Sequence, residues 1–185
     1  WRRRQVFVVP GGGRGRSVWR GSAAVLGPEL AGAGRDVLGG ADPDVELSAR
    51  AVVGLAAVRE KFGWLGAGST IVSDGSSCRW WTFVGSRANA SLAAALEAQG
   101  LGARADGLSV TVDAKIGLAE ARECDGLLAQ GVGPSVDADA LEGLKFSALL
   151  APEVAAGILG ERVADADRAR QVAVRGIGVS VDSGV

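Results

Sequence analysis

The sequence predicts an α+β fold: a small, mostly antiparallel sheet packed against several helices, with helices outnumbering strands. Three observations carry this. Segments with apolar residues at three- and four-residue steps outnumber the short β-branched runs. Two of those runs flank Asp74-Gly75, a hairpin signal. The 185 residues are 48% hydrophobic and 22% charged, a globular balance in a chain long enough to bury a core.

Gln5-Val6-Phe7-Val8-Val9 reads as a short strand, stopped by Pro10 and three glycines. Arg14 to Gly21 reads as a basic link holding Arg16 and Trp19. Residues 1–22 are thus a basic strand and loop, and residues 23–185 the α+β domain. Pro28 to Leu38 is a helix, with Pro28 in its first turn, Gly39 and Gly40 after it, and Leu30, Ala33, Val37 and Leu38 as its stripe. Leu47 to Phe62 carries the strongest period, placing Leu47, Ala51, Leu55, Val58 and Phe62 on one inward face. Thr70–Ser73 and Cys78–Val84 are strands joined by a loop of four or five residues. The second should be central, because both its faces are apolar. Ser86 is placed to cap a helix over Arg87–Gln99, with Ala88, Leu92, Ala95 and Leu96 inward. Leu108–Val112 alternates as a strand, and Ile116–Gln130 is an amphipathic helix. Short helices follow over 137–144, 152–160 and 165–174, and Gly176–Val185 is strand-like.

The missing residue types exclude most chemistry. Without histidine there is no Ser-His-Asp triad, H-E-x-x-H site or Cys₂His₂ finger. Cys78 and Cys124 cannot close a zinc site alone, and both are expected to be free and buried. G-x-x-x-x-G-K-[ST] and G-x-S-x-G are absent, so no ATP site and no catalytic residue are assigned here. No apolar stretch approaches the ~18–20 residues of a membrane span. The chain begins Trp1-Arg2-Arg3-Arg4 rather than with Met, and is read as a piece of a longer protein. Charge is uneven: +6 over residues 1–35 and −7 over the rest. The basic end suits nucleic acid or, as the plainer reading, a solvated tail in an arginine-rich chain, and the acidic remainder suits no broad nucleic-acid contact.

The densest feature is Arg79-Trp80-Trp81-Thr82-Phe83-Val84-Gly85-Ser86-Arg87-Ala88-Asn89-Ala90. Arg87 and Asn89 fall in the first turn of a helix, where free N–H groups favour a phosphate. A Trp flank could stack a base. Arg87, Asn89, Trp80, Arg79, Arg14 and Arg16 are the candidate nucleic-acid-binding residues. Core packing is the favoured role for Trp81 and Phe83. Carboxylate catalysis would need acids converging in a pocket, and the Asp137/Asp139, Asp165/Asp167 and Glu120/Glu123 pairs read instead as features of helix starts and faces.

Trp80-Trp81-Thr82-Phe83-Val84-Gly85-Ser86-Arg87-Ala88-Asn89 resembles the W-W-T-F-A-G-G-R-A-N segment of bacterial Lhr-like (large helicase-related) DEAD/DEAH-box ATP-dependent helicases. Gly15-Arg16-Ser17-Val18-Trp19-Arg20-Gly21 resembles that family's G-R-x-x-W-x-G segment, and Leu144-Lys145-Phe146-Ser147 its L-K-F-S segment. The second turn glycine of the family is Ser86 here, and Ala151 is inserted before Pro152. The resemblance implies a non-catalytic C-terminal accessory region that holds or guides nucleic acid, with DNA the expected strand, in a cytoplasmic enzyme. ATP and Mg²⁺ would belong to upstream RecA-like domains, with no cofactor in this region. The alternative is a stand-alone nucleic-acid or protein interaction module without a motor.

Overall fold

A computed structural model describes residues 25–136 and 149–181. The Gln5–Val9 strand, Arg14, Arg16 and the 137–144 helix lie outside the described residues, as does the Leu144–Ser147 segment. Among the described residues the fold is α+β, with six helices and five strands in one mixed sheet. In chain order they are α1 (Pro28–Leu38), α2 (Ala49–Lys61), β1 (Thr70–Asp74), β2 (Ser77–Trp81), α3 (Ser86–Ala98), β3 (Ala103–Ala105), β4 (Ser109–Val112), α4 (Leu118–Ala129), α5 (Pro152–Val163), α6 (Ala166–Val174) and β5 (Gly178–Val181).

The sheet order is β3-β4-β2-β1-β5. Only the β1–β5 pair is parallel. Asp74 pairs with Ser77, so the hairpin turn is the two residues Gly75-Ser76 rather than the longer loop expected. Gly75 takes φ +55°, the left-handed backbone that such a turn demands. This fixes the register: Ile71 faces Trp80, and Trp80 faces Val110. Cys78 and Val112 continue the same face one step on.

That face meets α3, α4 and α6. Ala88, Leu92, Ala95 and Leu96 of α3 are all buried, as their spacing predicts. They join Trp80, Val110, Ala121, Cys124, Ala169 and Ala173 in one core. Small residues dominate the helix contributions, which lets the backbones approach closely around Trp80.

The N-terminal helices depart from their predicted stripes. Ala31 is the buried residue of α1, while Leu30 is 66% exposed. Helix α2 begins after Ser48, whose hydroxyl accepts the Ala51 N–H, but no α2 residue is buried. Of its period, Leu47, Leu55 and Phe62 are only half-buried, and Ala51 and Val58 are exposed. Arginines hold this pair of helices instead: Arg59 donates to the carbonyls of Val37 (2.8 Å) and Ala41 (2.7 Å), and Arg35 to those of Gly66 and Gly68. Gly68 must be glycine, because a Cβ there would run into the Gly176 carbonyl just before β5.

The turn from β2 into α3 is the most constrained segment. Thr82 and Phe83 both donate their N–H groups to the Leu108 carbonyl. Phe83 takes φ +55°, a backbone that costs a non-glycine residue about 1–2 kcal/mol. Gly85 takes φ +90°, and a Cβ on it would lie 2.8 Å from the Leu26 carbonyl oxygen. Ser86 is not the cap that the sequence suggested. It is the first residue of α3, and its hydroxyl accepts the Leu26 N–H at 2.9 Å, while its own N–H donates to Leu26 O. The positive φ falls on Phe83 and Gly85, so serine at position 86 imposes no backbone strain.

Asn89 closes this turn from beneath. It is fully buried, its Oδ1 accepts from Thr82 Oγ1, and its Nδ2 donates to the Asp106 carbonyl at 2.9 Å. Asn89→Ala removes the carboxamide, strands the Asp106 carbonyl and leaves the Thr82 hydroxyl only its longer contact with the Leu108 carbonyl, so it should lower unfolding free energy by about 1–3 kcal/mol, read as a shifted urea midpoint.

At the start of α4, Glu120 Oε2 accepts the Gly117 N–H at 2.8 Å, one half of a capping box. That bond, then the Glu120 N–H, holds its carboxyl below the ordinary 4.5. A depressed folded value stabilises the chain above the unfolded value, and the contribution disappears as pH falls through the folded one. The Tm gap between wild type and Glu120→Gln should therefore be present at neutral pH and close below the ordinary carboxylate range.

Candidate functional site

Strand β2 alternates, and the alternation decides which tryptophan is available. Trp80 points into the helical core, fully buried, with its indole N–H donating to Ser69 Oγ at 2.9 Å. Trp81 lies on the opposite face and is half-buried. Trp80, a candidate contact from the sequence, is therefore a core residue, while Trp81, expected to pack, does pack on neighbouring rings but keeps part of its surface exposed. Trp80 has no free ring face to offer a base. The reason is tertiary, since α3, α4 and α6 all pack on the Trp80 side of the sheet.

Trp81 is built into an aromatic group. Phe83 stacks on it at 5.7 Å between centroids, Phe62 meets it edge-on at 5.2 Å, and Trp64 lies 5.7 Å away. Phe62 and Trp64 follow α2, so this contact fastens the end of the exposed helix to the sheet. Phe83 is buried, as expected. The Arg79 guanidinium sits over Trp81 at 5.0 Å from the ring centroid. Arg79 Nε also donates to Thr111 Oγ1 at 3.3 Å, and its far end lies 4.0 Å from Asp106 Oδ2.

Trp81, Arg79, Arg87, Asp106, Leu26 and Val163 contribute to the walls of a cavity of about 710 Å³ that is open to solvent and mainly apolar. Arg87 is exposed in the first turn of α3, where the helix dipole adds positive potential. Asn89, expected beside it, points inward and serves the turn. Arg104 shares the open face with Arg79 through the register Arg104–Thr111–Arg79, and pairs with Asp113 at 2.7 Å.

Asp106, Leu26, Phe62 and Trp64 were not among the sequence candidates. Asp106-Gly107 is a turn dipeptide, but its approach to β2 depends on the β3–β4 connection reaching over the sheet. Among the described residues no three His, Cys, Asp or Glu side chains gather as metal ligands. Asp165 caps α6 by accepting the Arg168 N–H, and Glu120 is engaged at α4. No described helix is long and apolar enough to cross a membrane.

The arrangement is a planar aromatic and two guanidinium groups around an open cleft, suited to a ligand that is both aromatic and anionic. The chain matches no protein-family model, no curated protein and no solved structure.

Both cysteines are buried and free. Burial pushes Cys124 up to about 11, against a smaller opposing effect of the Gln99 side chain, and burial also raises Cys78. Neither thiolate forms near neutral pH in the folded chain. An aromatic disulfide reagent at about pH 8 should therefore react slowly with the native protein and rapidly with both thiols in guanidinium.

Proposed function

We propose that this region holds unpaired nucleic acid as the C-terminal accessory part of an ATP-dependent Lhr-like helicase. The supporting observation is Trp81, backed by Phe83 and overlaid by the Arg79 guanidinium, which a base can stack with or displace, in the wall of a cleft that also bears Arg87. A base splayed from a single strand stacks on such a ring for about 1–3 kcal/mol. Its phosphate pairs with Arg87 and the first turn of α3. A duplex keeps its bases inside and gains little from the same ring. ATP and Mg²⁺ belong to RecA-like domains of the parent enzyme, and this region contributes grip rather than catalysis. DNA is the proposed strand.

The alternative, an interaction module with no motor, draws on α2, whose Val52, Val53 and Val58 are exposed. Strand separation by the parent chain separates the two readings: a motorless module would show none.

Fluorescence anisotropy with a labelled single-stranded oligonucleotide tests the grip. The wild-type chain should bind, more tightly in low salt. Trp81→Ala should weaken binding by about five- to a hundredfold, and Trp81→Phe should restore part of it. Arg87→Ala should flatten the log-log salt dependence by about 0.7. No binding in low salt, or binding unchanged by Trp81→Ala in a folded variant, would overturn the reading.

A further inference from the structure

We infer that Asp106 makes the cleft selective, favouring bases that present an amino group over thymine or uracil. The inference rests on the single-strand reading above and deepens it.

Asp106 is rigidly held. Its Oδ1 accepts the N–H groups of Leu108 and Ser109, both at 2.8 Å. The Ser109 hydroxyl lies 3.1 Å from Oδ2. The Asp106 carbonyl receives the buried Asn89 amide. Next in the chain, Gly107 packs so closely on Leu26 that a Cβ would fall 2.7 Å from the leucine side chain. The carboxylate therefore cannot swing away without breaking the turn. Yet its side chain is 54% exposed, and it lines the same cleft as Trp81. Oδ2 has the Ser109 hydroxyl and the distant Arg79 as neighbours, which leaves it acceptor capacity.

A carboxylate only accepts hydrogen bonds. Cytosine, adenine and guanine each offer an exocyclic amino group. Thymine and uracil offer one ring N–H flanked by two carbonyl oxygens, which a carboxylate repels. A base stacked on Trp81 with its edge at Asp106 is thereby sorted by its donors. Arg79, over the same ring, partly balances the charge of Asp106 without removing its acceptor.

Oligo(dC) and oligo(dT) are the appropriate probes, since both are pyrimidines. The wild-type chain should prefer dC by about ten- to a hundredfold, the worth of one hydrogen bond to a charged group. Oligomers of N4,N4-dimethylcytosine keep the ring but lack the donor, and should bind like dT to the unmodified protein. Asp106→Asn retains an acceptor for the Leu108 and Ser109 N–H groups and adds a donor, so the dC preference should fall to near unity. Equal wild-type binding of dC and dT, with both lost in Trp81→Ala, would overturn the inference and leave the single-strand reading standing. A dC preference that survives dimethylation or Asp106→Asn would also overturn it. Failure of every oligomer to bind would remove the reading and the inference together.

Discussion

A single buried carboxamide organises this molecule. Asn89 lies beneath the turn between β2 and α3 and joins three pieces of chain: the end of β2 through Thr82, its own helix, and the β3–β4 loop through the Asp106 carbonyl. A polar group taken fully out of water must keep its partners, so these segments have little freedom to separate. The left-handed Phe83 and the close Gly85–Leu26 approach persist because this tie and the two Leu26–Ser86 bonds, one to the Ser86 hydroxyl and one from its N–H, surround them. Arg87 and Asp106, which contribute to the cleft walls, are carried on two of the three segments that Asn89 joins.

The sheet divides its labour by face. One face is dry, filled by Trp80, Ile71, Val110 and small helix residues, and it supplies the stability. The other carries Trp81, Arg79 and Arg104, partly covered by Phe62 and Trp64 from the end of α2. The dry face makes the other rigid. A ring braced by Phe83 and a guanidinium shared among Trp81, Thr111 and Asp106 have little side-chain entropy left to lose when a ligand arrives.

Sequence pattern gave away the parts whose partners are local. Helix α3 was legible because alanines and leucines at helical spacing meet a large core, and the β1–β2 hairpin because Asp74-Gly75 specifies a turn. The turn length was not, since flanking residues can pair or loop with equal ease. Trp80 and Trp81 could not be sorted by pattern: adjacent tryptophans fit either face, and only the docking of three helices on one side decides. Helix α2 showed the opposite failure, a regular apolar period that meets no core. Strand β3 escaped notice because Ala103-Arg104-Ala105 has no strand propensity and is recruited by β4. Asp106 entered the site through the path of a loop, which composition does not encode.

The parallel partnership of β1 with β5 brings Ile71 beside Val179, a residue far along the chain and close to the end of the described residues. Its closeness is enforced where Gly68 meets Gly176 backbone to backbone. During synthesis, the first hairpin emerges long before the strand that covers its flank. For that interval β1 offers an unpaired row of amides and carbonyls to any neighbouring chain. The pairing also closes a long loop, a slow step by its entropy. A nascent chain stalled before β5 emerges would thus keep β1 as an open ledge, a hazard for ribosome-bound intermediates that the arrival of β5 removes from β1.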